Sequence, residues 1–230
     1  MKQVVQIRCK NNKKTQKVAN GSTLSDIFSS FNLKMEHGPV SAKVNNKVEG
    51  MHYRVYNNKD IEFLDMRTSS GSRAYTRTLF FVLCKAVQDL YPGHDVVIDI
   101  PVSNGFYVDV RLERDVTVDD VACIRKRMQE IVDARMPIRR YMVPTEDAIA
   151  LFEEKGDVEK VKLLRTSGSL YTTYYKIGEY VDFYYGTLLT NTSQLYLFGL
   201  EKYYDGMLLR IPSLKNPDEL GEVTRQDKMF

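Results

Sequence analysis

The spacing of apolar residues divides the first 66 residues into short strands around one helix. A polar turn at residues 10–13, between two β-rich runs, predicts an opening hairpin. Residues 21–23 (Gly-Ser-Thr) offer an N-cap for a helix whose apolar residues recur at helical spacing as far as Phe31. The strands are predicted at 3–8, 14–18, 40–46 and 60–65. With residues 48–51 as a connection, this ββαββ order predicts a ubiquitin-like β-grasp domain.

The rest of the chain is predicted to form a larger α+β domain. Residues 67–72 are polar and carry a glycine, which is typical of a linker, so the second domain is placed at 73–212. The predicted helices are at 74–91, 117–136 and 145–155, and the predicted strands at 95–102, 106–112 and across 169–210. Asn216 and Pro217 have the pattern of a helix start. Residues 213–230 are therefore interpreted as the start of a helical connection to a missing C-terminal domain.

Composition and charge exclude several classes of protein. With 43% hydrophobic and 27% charged residues, the chain can bury cores without disulfides or metals. Cys9, Cys84 and Cys123 are far apart, odd in number and never in a CxxC pair, so the sequence indicates neither a disulfide framework nor a zinc finger and favours a reducing compartment. The sequence has no signal peptide and no apolar run of membrane-spanning length, so we expect a cytoplasmic location without membrane contact. A net charge of +3 is compatible with nucleic-acid binding where basic residues cluster.

The motifs of common catalytic and cofactor sites are missing. The sequence has no Gly-Lys pair for a P-loop, no GxGxxG for a dinucleotide, no GxSxG nucleophile elbow and no HExxH zinc motif. His37, His52 and His94 are isolated and are interpreted as turn or surface residues, because a zinc site needs several converging ligands. We therefore predict no catalytic residue, no metal ligand and no cofactor in this chain.

Two parts of the sequence resemble known modules. The first 66 residues resemble a TGS domain, the β-grasp module of threonyl-tRNA synthetases, some GTPases and stringent-response enzymes. Four ordered blocks resemble the editing domain that follows TGS in threonyl-tRNA synthetases: LFFVLCKAVQDLYP, IPVSNGFYVDVRL, VDDVACIRKRMQEIVD and EYVDFYYG. Together the resemblance covers residues 1–212. It implies an α+β fold of the threonyl/alanyl-tRNA synthetase editing type after the β-grasp domain.

The residues that carry editing chemistry in that family are replaced here. The family uses an HxxxH pair on the first helix of the editing domain and a later Cys-x-x-x-His. The corresponding positions hold Arg77, Phe81, Tyr184 and Leu188. Neither Phe nor Leu can ligate a metal or transfer a proton, so the water-activating machinery is absent.

A cleft without this chemistry still offers candidates for ligand binding. These candidates are Arg77, Lys160, Asp182 and Tyr184. Lys160 and Asp182 match polar positions of the family's pocket, and the guanidinium of Arg77 suits a phosphate or carboxylate. The alternatives are a lysine in a charged helical run, an aspartate that ends a strand, and an arginine on the solvated face of its helix.

Clusters of basic residues are candidates for RNA contacts through counterion release. They lie at residues 10–17, 125–127 and 135–140. The stacking candidates are Tyr171, Tyr174, Tyr175, Tyr184 and Tyr185. The alternative is that the charges form solvated faces, since residues 125–127 interleave with an amphipathic pattern, and that the tyrosines are ordinary strand formers.

The arrangement of the whole chain resembles the N-terminal region of bacterial uridine-kinase-like nucleoside kinases. This resemblance implies a non-catalytic regulatory region that binds a small nucleotide, an amino acid or RNA. Its partner would be the C-terminal kinase domain of the same chain, and ATP and Mg²⁺ would be needed only there. The alternatives are a stand-alone tRNA-binding module and a weak aminoacyl-tRNA deacylase that uses Lys160 and Asp182.

Overall fold

The computed structural model describes residues 3–223 and has the mixed α+β fold that the sequence predicts. The strands are β1 (Val4–Cys9), β2 (Thr15–Ala19), β3 (Ser22–Thr23), β4 (Ser41–Val44), β5 (Lys47–Glu49), β6 (Arg54–Val55), β7 (Lys59–Leu64), β8 (Val96–Val102), β9 (Gly105–Val110), β10 (Arg139–Pro144), β11 (Tyr171–Ile177), β12 (Tyr180–Phe183), β13 (Gly199–Tyr203) and β14 (Gly206–Arg210). The helices are α1 (Leu24–Ser30), α2 (Ser69–Leu90), α3 (Val118–Asp133), α4 (Thr145–Glu154) and α5 (Val158–Thr166), with a 3₁₀ helix at Thr192–Gln194. Among these described helices, none is both long and apolar enough to cross a membrane.

The chain divides into two compact units. The first unit is Met1–Met136 with Thr187–Phe230, and the second is Pro137–Gly186. The first unit begins with a five-stranded sheet in the order β2-β1-β7-β4-β5. β1 pairs antiparallel with β2, which confirms the predicted hairpin, and parallel with β7. Alternate residues of β1 are buried and share a core with Leu24 and Ile27 of α1.

Local signals explain most of this first sheet. Thr23 and Asp26 form a capping box, which confirms the predicted helix start. The Asp26 amide donates to the Thr23 hydroxyl at 3.1 Å, and the Thr23 amide donates to the Asp26 carboxylate at 3.0 Å. The predicted connection at 48–51 is wrong, because Lys47–Glu49 forms β5 and pairs with β4. The asparagines at 45–46 have φ of 47° and 68°, the backbone geometry of a tight hairpin turn.

Helix α2 begins earlier than the sequence indicates. Thr68 caps it by accepting a hydrogen bond of 3.0 Å from the Gly71 amide, so the predicted linker at 67–72 contains the first helical turn. A Cβ at Gly71 would lie 1.9 Å from the carbonyl oxygen of Asp65, and glycine permits this close approach. The domain boundary at this point remains a prediction.

A four-stranded sheet in the order β13-β14-β9-β8 packs with α2 and α3 in the same unit. The predicted hairpin between β8 and β9 is confirmed, and its turn has φ of 52° and 57° at residues 103–104. The predicted start of α3 is also confirmed, since Thr117 and Asp120 form a capping box. Asp120 is buried and also accepts hydrogen bonds from the guanidinium of Arg114 at 2.6 Å and 2.9 Å and from the Tyr91 hydroxyl at 2.7 Å. These three donors anchor the loop before α3 to the end of α2.

Hydrogen bonds join the two segments of the first unit near Met136, where its first segment ends, and Thr187, where its second segment begins. The Met136 amide donates to Thr192 Oγ1 at 2.9 Å, and the Thr192 amide donates to the Met136 carbonyl at 3.0 Å. The Thr192 hydroxyl donates to the Ile131 carbonyl at 2.8 Å, and the Asn191 side-chain amide donates to the Arg135 carbonyl at 2.8 Å. Four hydrogen bonds therefore close the first unit at this point.

The predicted helix start at Asn216 is wrong over the described residues. The Glu219 amide donates to the Asn216 carbonyl at 3.1 Å, which closes a turn, and the Ser213 amide donates to the Glu219 carbonyl at 2.8 Å. Leu220 then bridges to Pro212 as an isolated antiparallel pair. The carbonyl of Glu219 therefore accepts from an earlier residue, Ser213, and not from the amide of a following helical turn. The remainder of the predicted connection, residues 224–230, lies outside the described residues.

The second unit consists of the sheet β10-β11-β12 with α4 and α5. Its core is formed by residues of both helices with Val181 of β12, as in Phe152, Val161 and Leu164. The predicted helix at 145–155 is confirmed by α4. Helix α5 is not predicted as a separate element. It begins after Gly156, whose φ is 73°.

Candidate functional site

The second unit brings two of the predicted ligand-binding residues together. Lys160 lies in the first turns of α5, and its Nζ is 3.2 Å from Asp182 Oδ1 on β12 and 2.7 Å from Asp157 Oδ2. The same ammonium lies 5.6 Å from the centre of the Phe152 ring, within the range of a cation–π contact. Three neighbours therefore surround the ammonium group of Lys160.

Asp182 is the more deeply buried member of this pair. Its side chain is 12% exposed, compared with 29% for Lys160. The Phe183 amide donates to Asp182 Oδ1 at 2.8 Å, and the Tyr180 hydroxyl donates to Oδ2 at 3.3 Å. Together with the ammonium, these donors compensate part of the cost of burying the carboxylate.

The environment shifts the pKa of both groups. Burial raises the pKa of the Asp182 carboxyl, and the nearby Lys160 ammonium offsets only part of this shift. For Lys160, burial lowers the pKa, but the carboxylates of Asp182 and Asp157 outweigh burial and the net pKa is raised. The asymmetry has a structural cause, since Lys160 has two anionic partners and Asp182 has one cationic partner. Lys160 is therefore held in its charged form at neutral pH.

This arrangement is suited to binding rather than to proton transfer. A lysine whose pKa is raised remains protonated and is a poor general base near neutral pH. A ligand could be bound by exchange, with its own carboxylate, phosphate or hydroxyl replacing one oxygen around the ammonium. Asp157, Phe152 and Tyr180 were not singled out from the sequence. A signal for Asp157 was present, since an aspartate after Gly156 is a good helix cap, and its side chain accepts the Lys160 amide at 3.1 Å.

The other positions that correspond to the family's editing residues lie in both units. Tyr184 is half-buried and follows β12 two residues after Asp182 in the second unit. Arg77 is half-buried on α2 of the first unit, so the structure places it in a different unit from the other three candidates. Phe81 and Leu188, also in the first unit, are both 0% exposed. Apolar residues therefore form part of the core at two of the four positions.

A backbone contact fixes the chain beside Leu188. The Leu189 amide donates to Thr78 Oγ1 at 2.9 Å, and the Thr78 hydroxyl donates to the Ala74 carbonyl at 2.8 Å. Thr78 is fully buried on α2, one residue after Arg77. Nothing in the spacing of the sequence indicates this contact.

The basic clusters have different surroundings. Arg127 on α3 pairs with Asp89 at 2.9 Å and with Glu130 at 2.9 Å, so it supports the packing of helices. Arg139 and Arg140 are exposed on β10 of the second unit.

The tyrosines differ as well. Tyr171 and Tyr185 are 63% and 71% exposed. Tyr174 is half-buried and stacks on Tyr141, with ring centres 5.1 Å apart. Tyr175 is 1% exposed and its hydroxyl donates to the Gly186 carbonyl at 2.9 Å. The prediction that Tyr175 stacks on RNA is therefore wrong for this structure, since its ring belongs to the core.

Comparison with known proteins agrees with this fold. No protein-family model matches the chain. The chain is similar over most of its length to threonine–tRNA ligases. It is 31% identical over 209 residues to that of Syntrophotalea carbinolica, covering 86% of this chain and 33% of the ligase. It is 29% identical over 181 residues to those of Marinobacter nauticus and Acetivibrio thermocellus, covering 78% of this chain and 28% of each ligase. The chain thus spans about a third or less of the length of these relatives.

Proposed function

We propose that this chain is a non-catalytic tRNA-binding region that recognises the acceptor end of a tRNA without hydrolysing an aminoacyl ester. Its relatives are named as ligases of threonine and tRNA, which supports a tRNA as the partner. The sheet order of the first unit, with β1 parallel to β7 at its centre and α1 against one face, supports the TGS-like β-grasp part of the proposal. The proposal assigns this region no cofactor of its own.

Loss of hydrolysis follows from the side chains at the former editing positions. Phe81 and Leu188 are buried hydrocarbon groups and cannot activate water. Lys160 has a raised pKa and two carboxylate partners, so it cannot replace the missing histidines as a base near neutral pH. The Lys160–Asp182 pair is proposed to bind the polar end of a ligand, together with Tyr184. Ligand binding by Arg77, on the first unit, remains a prediction.

A basic and aromatic strip on the second unit carries the proposal of RNA binding. The register places Met142 opposite Thr173 and Pro144 opposite Tyr171, so Arg140, Met142 and Tyr171 face the same side of the sheet. Met142 is 64% exposed and Tyr171 is 63% exposed. Arg140 and Tyr171 are four residues apart along this ladder. A cation and an exposed aromatic ring on one surface are the combination by which proteins bind a single-stranded end, through phosphate contact and base stacking.

The test is fluorescence anisotropy with a 3′-labelled uncharged tRNA over a series of salt concentrations. The double variant Arg139→Ala/Arg140→Ala should bind more weakly, and the slope of log K against log salt should fall by about 0.7 for each phosphate of a single strand that the variant no longer neutralises. Tyr171→Ala should cost about 1–3 kcal/mol if one base stacks on it. The matched control is Lys34→Ala/Lys215→Ala, which removes the same charge from exposed positions outside the basic clusters.

Two results would overturn the proposal. One is no tRNA binding even at low salt, and the other is an equal loss in the control variant, which would indicate attraction by net charge alone. A parallel assay with mischarged tRNA should show no ester hydrolysis above the uncatalysed rate. The predicted kinase-domain partner and small-molecule ligand remain predictions. Stabilisation by a nucleoside or by threonine, with no effect of tRNA, would favour them over RNA binding.

A further inference from the structure

His37 lies in a turn, one of the two positions that the sequence predicts for it, but its side chain is buried. Its side chain is 7% exposed, and the imidazole Nε2 lies 3.5 Å from Asp218 Oδ1 and 3.9 Å from Glu36 Oε2. Among the described residues, none makes a hydrogen bond with this ring. The same ring nitrogen is thus within ion-pair distance of two carboxylates from different parts of the chain. A cation between the three side chains would meet one imidazole nitrogen and two carboxylate oxygens.

We propose that Glu36, His37 and Asp218 form a binding site for a divalent transition-metal ion of the zinc type. One ligand atom from each residue can be chosen so that all three lie within 4.8 Å of one another. Zinc binds imidazole nitrogen and carboxylate oxygen at about 2.0–2.2 Å, which places tetrahedral ligands roughly 3.4 Å apart. The Nε2–Oδ1 distance of 3.5 Å already matches this spacing. A water molecule would complete the four ligands.

The surroundings fix the imidazole and leave the carboxylates adaptable. The Tyr196 ring lies against His37 with centres 5.1 Å apart, and the Tyr196 hydroxyl donates to the Pro217 carbonyl at 2.9 Å. The Met66 amide donates to the His37 carbonyl at 3.0 Å. The carboxylates of Glu36 and Asp218 are 76% and 67% exposed, so small rotations can bring them to bonding distance.

The ion would connect two segments of the first unit that are far apart in sequence. Glu36 and His37 follow α1, whereas Asp218 lies in the turn that closes at Glu219. A metal ion at this point would hold the turn at 216–219 against the loop after α1. The site is separate from the Lys160–Asp182 pair, which belongs to the second unit, and it does not rest on the proposed tRNA binding.

The experiment is a metal titration of the chelator-treated protein. Zn²⁺ should bind with one-to-one stoichiometry by calorimetry and raise the melting temperature, and Co²⁺ should give a visible d–d absorbance. Asp218→Asn, at an exposed position that should not disturb folding, should lower the affinity by more than the ~10–100-fold that is typical when a residue hydrogen-bonded to a metal ligand is replaced. His37→Ala should abolish the Co²⁺ spectrum. His94→Ala is the matched control and should leave binding unchanged.

Three outcomes would overturn the site. They are no binding of either ion, binding that persists unchanged in both Asp218→Asn and His37→Ala, and an NMR titration in which the His37 ring responds to pH identically with and without Zn²⁺. The second outcome would point to the cysteines as the ligands. The third would show that the His37 ring is not a ligand of the ion.

Discussion

Replacement of Lys160 by methionine should destabilise the second unit in a pH-dependent way. The substitution keeps the length of the side chain and its contact with Phe152, but it removes the cation 3.2 Å from Asp182. Removing one partner of a fully buried ion pair costs about 3–5 kcal/mol. Because 29% of the Lys160 side chain and 12% of the Asp182 side chain are exposed, we reduce this figure to about 2 kcal/mol near neutral pH.

The sign of the pH dependence follows from the pKa of Asp182. Burial already raises this pKa in the native protein, and loss of the ammonium would raise it further. A carboxyl whose folded-state pKa is raised favours the folded state below its unfolded pKa, and this contribution is lost as pH rises through the folded pKa. The destabilisation caused by Lys160→Met should therefore be larger at about pH 7.5 than at about pH 4.5.

Urea unfolding at these two pH values measures the effect, with Lys162→Met as the control. Lys162 is exposed on the same helix, so its replacement should change the free energy of unfolding by less than about 0.5 kcal/mol. An effect of Lys160→Met that is equally small, or one that does not depend on pH, would refute the reasoning. Either result would mean that Asp182 is adequately solvated without its partner.

Two further substitutions test the first unit. Leu188→Ala should lower the free energy of unfolding by about 2–5 kcal/mol in urea denaturation, because the side chain is fully buried; an unchanged midpoint would show that it forms an exposed wall instead. Gly71→Ala should lower the melting temperature, since the added Cβ would lie 1.9 Å from the Asp65 carbonyl oxygen. A variant that melts like the native protein would mean that α2 can begin later, as the sequence alone predicts.

The elements that the sequence predicts correctly are those with a strong local cause. Thr23 and Thr117 begin α1 and α3 because each sits three residues before an aspartate that completes the cap. The hairpin at residues 103–104 follows from a Ser-Asn-Gly turn between β-rich runs. The missed strand at 47–49 has only three residues and is mostly polar, so its pairing with β4 depends on the sheet rather than on its own pattern. The turn at 216–219 has a helix-like start but is bonded to residues before it.

The candidate sites also combine residues that the sequence indicates locally with contacts that only the fold creates. Similarity of motifs drew attention to Lys160 and Asp182, but their contact joins positions 22 residues apart on different elements, and no spacing rule gives it. Asp157 joins the same cluster because it caps α5, which places its carboxylate beside Lys160. His37 is a single histidine in a loop, and its burial beside Asp218 arises from a long-range contact between the ends of the first unit. Contacts of this kind are set by the fold as a whole.

The second unit is inserted in sequence between the two segments of the first unit. Hydrogen bonds between Met136 and Thr192 join these two segments close to the point of insertion. These hydrogen bonds join the two segments of the first unit directly, before and after the second unit in the sequence. Almost all of the bonded groups are main-chain atoms or the hydroxyl of Thr192. Substitutions on the second unit are therefore not constrained by the need to close the first. The residues around the Lys160–Asp182 pair can therefore vary while the hydrogen bonds that close the first unit are kept.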